Sequence, residues 1–163
     1  QWTLFENDFR LIDGVLDDLL QRTNALSAHL IDRSGQVITS AGRVDDFDVT
    51  SFASLAAADF TANAELAQLM GEPTVDAVVN EGRLRSVYSR MLAGRVILSV
   101  VFDKRSTLGI VRTRSKRGAD MLDRVFRDLF EKVGLADSRE PAFEAAPDFA
   151  PAASNEVDAL FGE

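Results

Sequence analysis

Arg85-Ser86-Val87-Tyr88-Ser89-Arg90-Met91-Leu92 and Arg95-Val96-Ile97-Leu98-Ser99-Val100-Val101-Phe102 stand on either side of Ala93-Gly94. β-Branched and aromatic residues crowd both runs, and a small residue followed by glycine signals a tight hairpin. In the second run Val96, Leu98 and Val100 alternate with Ile97, Ser99 and Val101, so nearly every position is apolar. A strand apolar on both sides is covered on both sides, which places it near the middle of a sheet with helices on its faces.

Residues 75–81, ahead of Gly82, predict a third strand before this hairpin. Two more strands are expected at 26–31 and 36–41, joined by the polar turn Asp32-Arg33-Ser34-Gly35. Phe5, Phe9, Ile12, Leu16 and Leu19 recur at steps of three and four, which predicts an amphipathic helix to about residue 22. A second helix is expected over 48–70, capped by Thr50 or Ser51 and closed by Gly71 and Pro73. Its apolar period runs through Phe52, Leu55, Ala62, Leu66 and Leu69, the expected core stripe, with Thr61 and Glu65 off it. This helix also holds seven alanines (53, 56, 57, 58, 62, 64 and 67), which give it a low-relief surface that another element can approach closely. A last helix starts near residue 106 and carries Leu108, Val111, Ser115, Gly118, Leu122, Val125, Leu129 and Val133 on one stripe. The sum is an α+β fold in the order α-β-β-α-β-β-β-α, with five antiparallel strands layered with three helices.

The 163 residues suffice for one domain, read as 1–133. Residues 134–153 form an Ala/Pro-rich linker with Pro141, Pro147 and Pro151. In 154–163, Val157, Leu160 and Phe161 fall at i, i+3 and i+4, the pattern of a short amphipathic helix. Too short to be stable in water alone, such a helix is expected to dock on a partner. Charge divides the same way. The first 133 residues carry 17 Lys and Arg against 19 Asp and Glu, while the remainder carries one against seven. No global basic field invites nucleic acid.

Cysteine is absent, which excludes thiolate chemistry and fits a reducing cytoplasm. There is no phosphate loop, dinucleotide fingerprint or nucleophile elbow. The one histidine, His29, sits in a strand and is expected to be a structural, hydrogen-bonded residue. Asp17-Asp18 and Asp45-Asp46 are sequence neighbours, and helical neighbours point about 100° apart, too far to converge as an acid/base pair. No catalytic residue, metal site or cofactor is expected, nor any membrane span. One unusual cluster does stand out. Arg105, Arg112, Arg114, Lys116 and Arg117 crowd the start of the last helix, where positive charge opposes the macrodipole, while Asp120/Arg124 and Asp123/Arg127 pair later. Unpaired, these five would form a basic patch that is either a solvated surface or a site for an acidic partner: an acidic protein, the chain's own acidic tail or membrane phosphates.

Leu30-Ile31-Asp32-Arg33-Ser34-Gly35-Gln36-Val37-Ile38 leading to Gly42, the Ala-rich helix ending Met70-Gly71-Glu72, and Val100-Val101-Phe102-Asp103 before Thr107-Leu108-Gly109 together resemble a Roadblock domain. The likeness is to the bacterial branch that regulates MglA-like small Ras-like GTPases, and it extends to the ending Asn155-Glu156-Val157-Asp158-Ala159-Leu160-Phe161-Gly162-Glu163. The resemblance implies a homodimer joined through strand 75–81 and paired Ala-rich helices. It implies that two copies present this helical surface to one GTP-bound GTPase and accelerate hydrolysis by reshaping its switch regions, without an arginine finger. The low-relief positions Ala58, Thr61, Ala62 and Glu65 are then the expected GTPase contacts, with Val157, Leu160 and Phe161 a second contact tuning nucleotide state. Such a protein would act in cell polarity or gliding motility, in the cytoplasm and concentrated at a cell pole. The alternative is a Roadblock scaffold with no effect on turnover. A small-molecule sensor rests on fold analogy alone.

Overall fold

Strand β5 (Val96–Asp103) is buried at every position but its last, and the strand order β2-β1-β5-β4-β3 makes it the central strand. The computed structural model describes residues 6–134. Around β5 run α1 (Glu6–Thr23), β1 (Ser27–Asp32), β2 (Val37–Gly42), α2 (Val49–Leu69), β3 (Ala77–Asn80), β4 (Arg85–Leu92) and α3 (Leu108–Lys132). All four strand pairings are antiparallel, so the expected element order and the five-stranded sheet are both present. The compact unit that holds the sheet ends at Leu129; of the second unit, which starts at Phe130, only residues to 134 are described. The linker 134–153, apart from Gly134, and the segment 154–163 with Val157, Leu160 and Phe161 lie outside the described residues.

The β4–β5 hairpin closes with Ala93 at φ 51° and Gly94 at φ 69°, and the Arg95 N–H donates to the Leu92 carbonyl at 3.1 Å. Two successive positive φ values give the turn whose twist matches the strands it joins. Ala93 is held in that conformation by the Asp123 carboxylate, which accepts from its N–H at 2.7 Å.

Register assigns each residue to a face, because residues opposite one another across an antiparallel pair point the same way. Thr39 reaches Asp13 of α1 at 3.2 Å, and Tyr88 lies under Arg112 of α3 at 5.8 Å, so one face is covered by α1 and α3. These two helices close on each other at Gly118, where an added Cβ would stand 3.3 Å from Leu19 and 3.4 Å from Val15. The missing side chain at this glycine is what admits Leu19 and Val15 so closely. The buried stripe of α3 is Val111, Ser115, Ala119, Leu122, Phe126 and Leu129.

Among the described residues α2 is the one helix on the other face, and here the expected stripe is wrong except at Phe52, which packs against the core. Leu55, Leu66 and Leu69 are 70%, 54% and 86% exposed. The residues turned inward are Ala53, Ala57, Phe60 and Ala67, against Ile31, Val78 and Ile97 of the sheet. Bulky sheet residues already fill this layer, so α2 comes down onto them with methyl-sized side chains and one phenylalanine. The approach is close at the β1–β2 turn as well. Gly35, at φ 96°, would bring a Cβ within 3.2 Å of the Ser54 Cα. The cap also differs from expectation. Asp48 precedes the helix and its carboxylate accepts from the N–H groups of Thr50 and Ser51 and from the Ser51 hydroxyl, leaving those two residues inside the first turn.

Candidate functional site

Inverted packing of α2 leaves a helix with its three leucines in solvent. Leu55, Ala58, Ala62, Leu66 and Leu69 succeed one another at steps of three and four, so they share the outer face. Ala58 and Ala62 make a notch between leucines. Of the expected contact residues, Ala58, Ala62 and Glu65 are exposed on α2, and Thr61 is half-buried at its flank. Neither Lys nor Arg occurs anywhere in α2.

This face runs on to the sheet edge. β3 is the terminal strand beyond β4, and its outer side pairs with no strand among the described residues. Asp59 ties α2 to it, accepting from Asn80 Nδ2 at 2.8 Å and from Asn63 Nδ2 at 3.0 Å. An open hollow of about 500 Å³ lies between them, with Leu66 and Met70 on the helix side and Val75, Val78 and Val79 on the strand side. A short strand edge beside exposed leucines, with few charges, combines free backbone donors and acceptors with an apolar patch. Such a surface is suited to covering by another protein.

Behind α2, the sheet face holds a polar row. Ser40, His29, Ser99 and Ser89 stand opposite one another on four adjacent strands. His29 Nδ1 is 2.8 Å from Ser40 Oγ and Nε2 is 2.9 Å from Ser27 Oγ, while the Ser89 and Ser99 hydroxyls are 2.7 Å apart. Phe47 and Phe52 cover the imidazole with ring centroids 5.6 and 5.1 Å away. Burial pushes the His29 imidazole down to about 4, so it is neutral at pH 7 and structural, as its place in a strand suggests.

The basic patch does not survive as an unpaired cluster. Arg105 pairs with Asp103 at 3.2 Å, and the backbone N–H of Arg105, followed by its guanidinium, holds that carboxyl below its ordinary value. Arg112 stacks on Tyr88, Arg114 donates to the Arg22 carbonyl at 3.1 Å, and Lys116 pairs with Asp120 at 3.2 Å. Asp120 therefore serves Lys116 rather than Arg124, whereas Asp123 and Arg127 pair as expected at 2.7 Å. Arg117 alone of the five takes part in no hydrogen bond, ion pair or stacking among the described residues. The dipole penalty of these charges is offset locally, by partners of which only Asp120 lies at helical spacing.

Among the described residues no three His, Cys, Asp or Glu side chains are grouped to hold a metal ion, and no helix is long and apolar enough to cross a membrane. No family model and no curated protein matches the chain. Solved structures do. Myxococcus xanthus MglB is 39% identical over 78% of this chain and 96% of its own, with a TM-score of 0.73. An MglB with a tetrameric arrangement is 30% identical over 78% of this chain and 96% of its own, with a TM-score of 0.71. A Roadblock/LC7 domain from Streptomyces avermitilis, 20% identical over 73% of this chain and 97% of its own, shares the fold at a TM-score of 0.62. With the five-stranded sheet, the three helices and this identity, the chain belongs to the MglB family of Roadblock proteins.

Proposed function

We propose that this protein is a GTPase-activating regulator of an MglA-like small Ras-like GTPase, acting as a homodimer in cell polarity or motility. The observation that carries this reading is the outward apolar face of α2 beside the open β3 edge. A second copy pairing along β3 would satisfy the free backbone groups and set two α2 helices side by side. The MglB structure described with a tetrameric arrangement supports self-association in this family. Two such helices give a surface for the GTP-bound GTPase through Ala58, Thr61, Ala62 and Glu65.

That surface offers no arginine from α2, so stimulation works by binding and reshaping the GTPase's own switch regions. Single-turnover GTP hydrolysis by an MglA-like GTPase, with and without this protein, tests the reading. Acceleration is expected, and Ala at Arg43, Arg83, Arg105, Arg112, Arg114 or Arg117 singly should retain most of it. An arginine finger supplied in trans contributes ~10³–10⁵ in rate in Ras-like systems. A loss of that size from one substitution would make this a finger mechanism. Binding without acceleration would leave a Roadblock scaffold.

Residues 154–163 supply a second contact through Val157, Leu160 and Phe161. Their deletion should leave the domain folded and dimeric but weaken GTPase binding several-fold, or change GDP release, because a tethered second site adds through effective concentration. Phe161→Ala should account for most of the change, having the largest apolar area of the three. Titration and GDP release measured on full-length and truncated protein check this, and identical values in both would remove the segment from the mechanism.

A further inference from the structure

The face opposite α2 carries a second concave surface. A groove of about 430 Å³ runs between α1 and α3, floored by Leu11, Val15, Leu19, Gly118 and Met121. Arg10 and Arg22 stand on its α1 side, and Arg114 and Arg117 on its α3 side. Glycine in the middle of α1 calls for a reason, since apart from proline no residue weakens a helix interior more. Gly118 has one, in its contact with Leu19 and Val15; Gly14, lining the same groove, has none, because a Cβ built on it meets nothing within 4 Å. Among the described residues the space above Gly14 is therefore open.

We propose that this groove docks an acidic amphipathic helix of a partner protein, separately from the α2 surface. Charge and shape select that occupant. The floor offers apolar area to a row of leucine-like side chains, and the gap at Gly14 admits one of them deeply. Four guanidinium groups flank the floor against one lining carboxylate, Asp18; Arg22 pairs with it at 2.7 Å and Arg10 pairs with Glu6 at 2.8 Å, which leaves Arg114 and Arg117 outside any ion pair among the described residues. Guanidinium forks hold carboxylates in bidentate geometry, so glutamates beside the apolar row would meet donors on both sides. Arg10 and Arg22 are about three turns apart on α1, about 18 Å, enough for a helix of about 12 residues. A flat anionic bilayer would leave the hollow at Gly14 unfilled, which favours a protruding peptide over a membrane.

The test uses the full chain and a synthetic helical peptide of about 14 residues, with leucines on one face flanked by glutamates, against its counterpart with lysines. Micromolar binding of the acidic peptide is expected, at least ~10-fold tighter than the lysine peptide and weakened by salt. Gly14→Trp should abolish it with a melting temperature no lower than that of the unsubstituted protein, while Gly14→Ala, which leaves the hollow open, should bind normally. Arg114→Glu combined with Arg117→Glu should reverse the charge preference. Equal binding of both peptides, or undiminished binding to Gly14→Trp, overturns the proposal. So does co-sedimentation with phosphatidylglycerol vesicles that the acidic peptide does not compete, and so does a change in oligomer size caused by Gly14→Trp, which would make the groove a contact between copies. GTP hydrolysis by the wild-type protein is measured alongside, so that failure here stays distinct from failure of the GTPase reading.

Discussion

Arginine placed at Ala58 or Ala62 should abolish the complex with the GTPase and leave the fold untouched. Both side chains point into solvent from the outer row of α2, so a long charged side chain has room in the isolated protein. Surface changes of this kind usually move stability by no more than about 0.5 kcal/mol. In a complex the same positions form the notch between Leu55 and Leu66, two leucines that are mostly exposed. A guanidinium buried there without a partner loses its hydration, and loss on the order of 100-fold in affinity, about 2.7 kcal/mol, is expected. Sedimentation of the free protein separates two causes. A dimer that no longer binds the GTPase places the notch in the GTPase contact, whereas a monomer places it between copies. Unchanged affinity and unchanged assembly would remove this face from the function.

The fold was legible because three signals agreed: the doubly apolar strand β5, the Ala93-Gly94 turn and the apolar periods of α1 and α3. Helix α2 was legible as a helix but not in its orientation. Two stripes compete in its sequence, one through Phe52, Leu55, Ala62, Leu66 and Leu69 and one through Ala53, Ala57, Phe60, Ala64 and Ala67. Hydrophobicity favours the first. In the fold the second faces the sheet, with Ala53, Ala57 and Phe60 against Ile31, Val78 and Ile97. A stripe of alanines spaced by three and four, with one aromatic, was the available signal, and it needed the sheet's side-chain volumes to be decisive. The basic cluster failed for another reason: its partners Asp103, Tyr88 and the Arg22 carbonyl belong to other elements or to the preceding loop, which helical spacing cannot show.

Orientation of α2 also connects stability to function. The helix is held from below by small contacts and by local polar ties, Asp48 at its start and Asp59 at β3, rather than by a broad apolar face. Its outer leucines contribute little to the isolated domain, so they are available to a partner, and covering them would add the burial that the monomer lacks. The polar row beneath the first turns of α2 is the part of this layer most sensitive to solution conditions.

That sensitivity gives the second large effect, a loss of stability between about pH 6.5 and pH 4. His29 is fully buried, both ring nitrogens are occupied by serine hydroxyls, and its pKa falls from 6.5 to about 4. Burial disfavours the imidazolium, and no carboxylate hydrogen-bonds the ring among the described residues to compensate. Above pH 6.5 the imidazole is neutral in both folded and unfolded chains, so this group adds no pH dependence. Below it the unfolded chain takes up a proton that the native state refuses, and stability falls with pH until the native imidazole titrates near 4. At about 1.4 kcal/mol for each unit of difference the total is about 3 kcal/mol, a large part of the 5–15 kcal/mol typical of a domain. Carboxylates act in a different window. Asp48, lowered chiefly by the Ser51 hydroxyl, and Asp103, lowered chiefly by the Arg105 N–H, contribute stability above their ordinary 3.8 that is lost only at more acid pH. Urea unfolding at pH 7.5, 6.5, 5.5 and 4.5 should therefore show a midpoint that is flat at first and then falls. His29→Phe, which can join the rings of Phe47 and Phe52, should have a flat midpoint across the same range whatever its absolute stability. An equal slope in both proteins would mean that groups other than His29 bind the proton, and that the polar row tolerates an imidazolium.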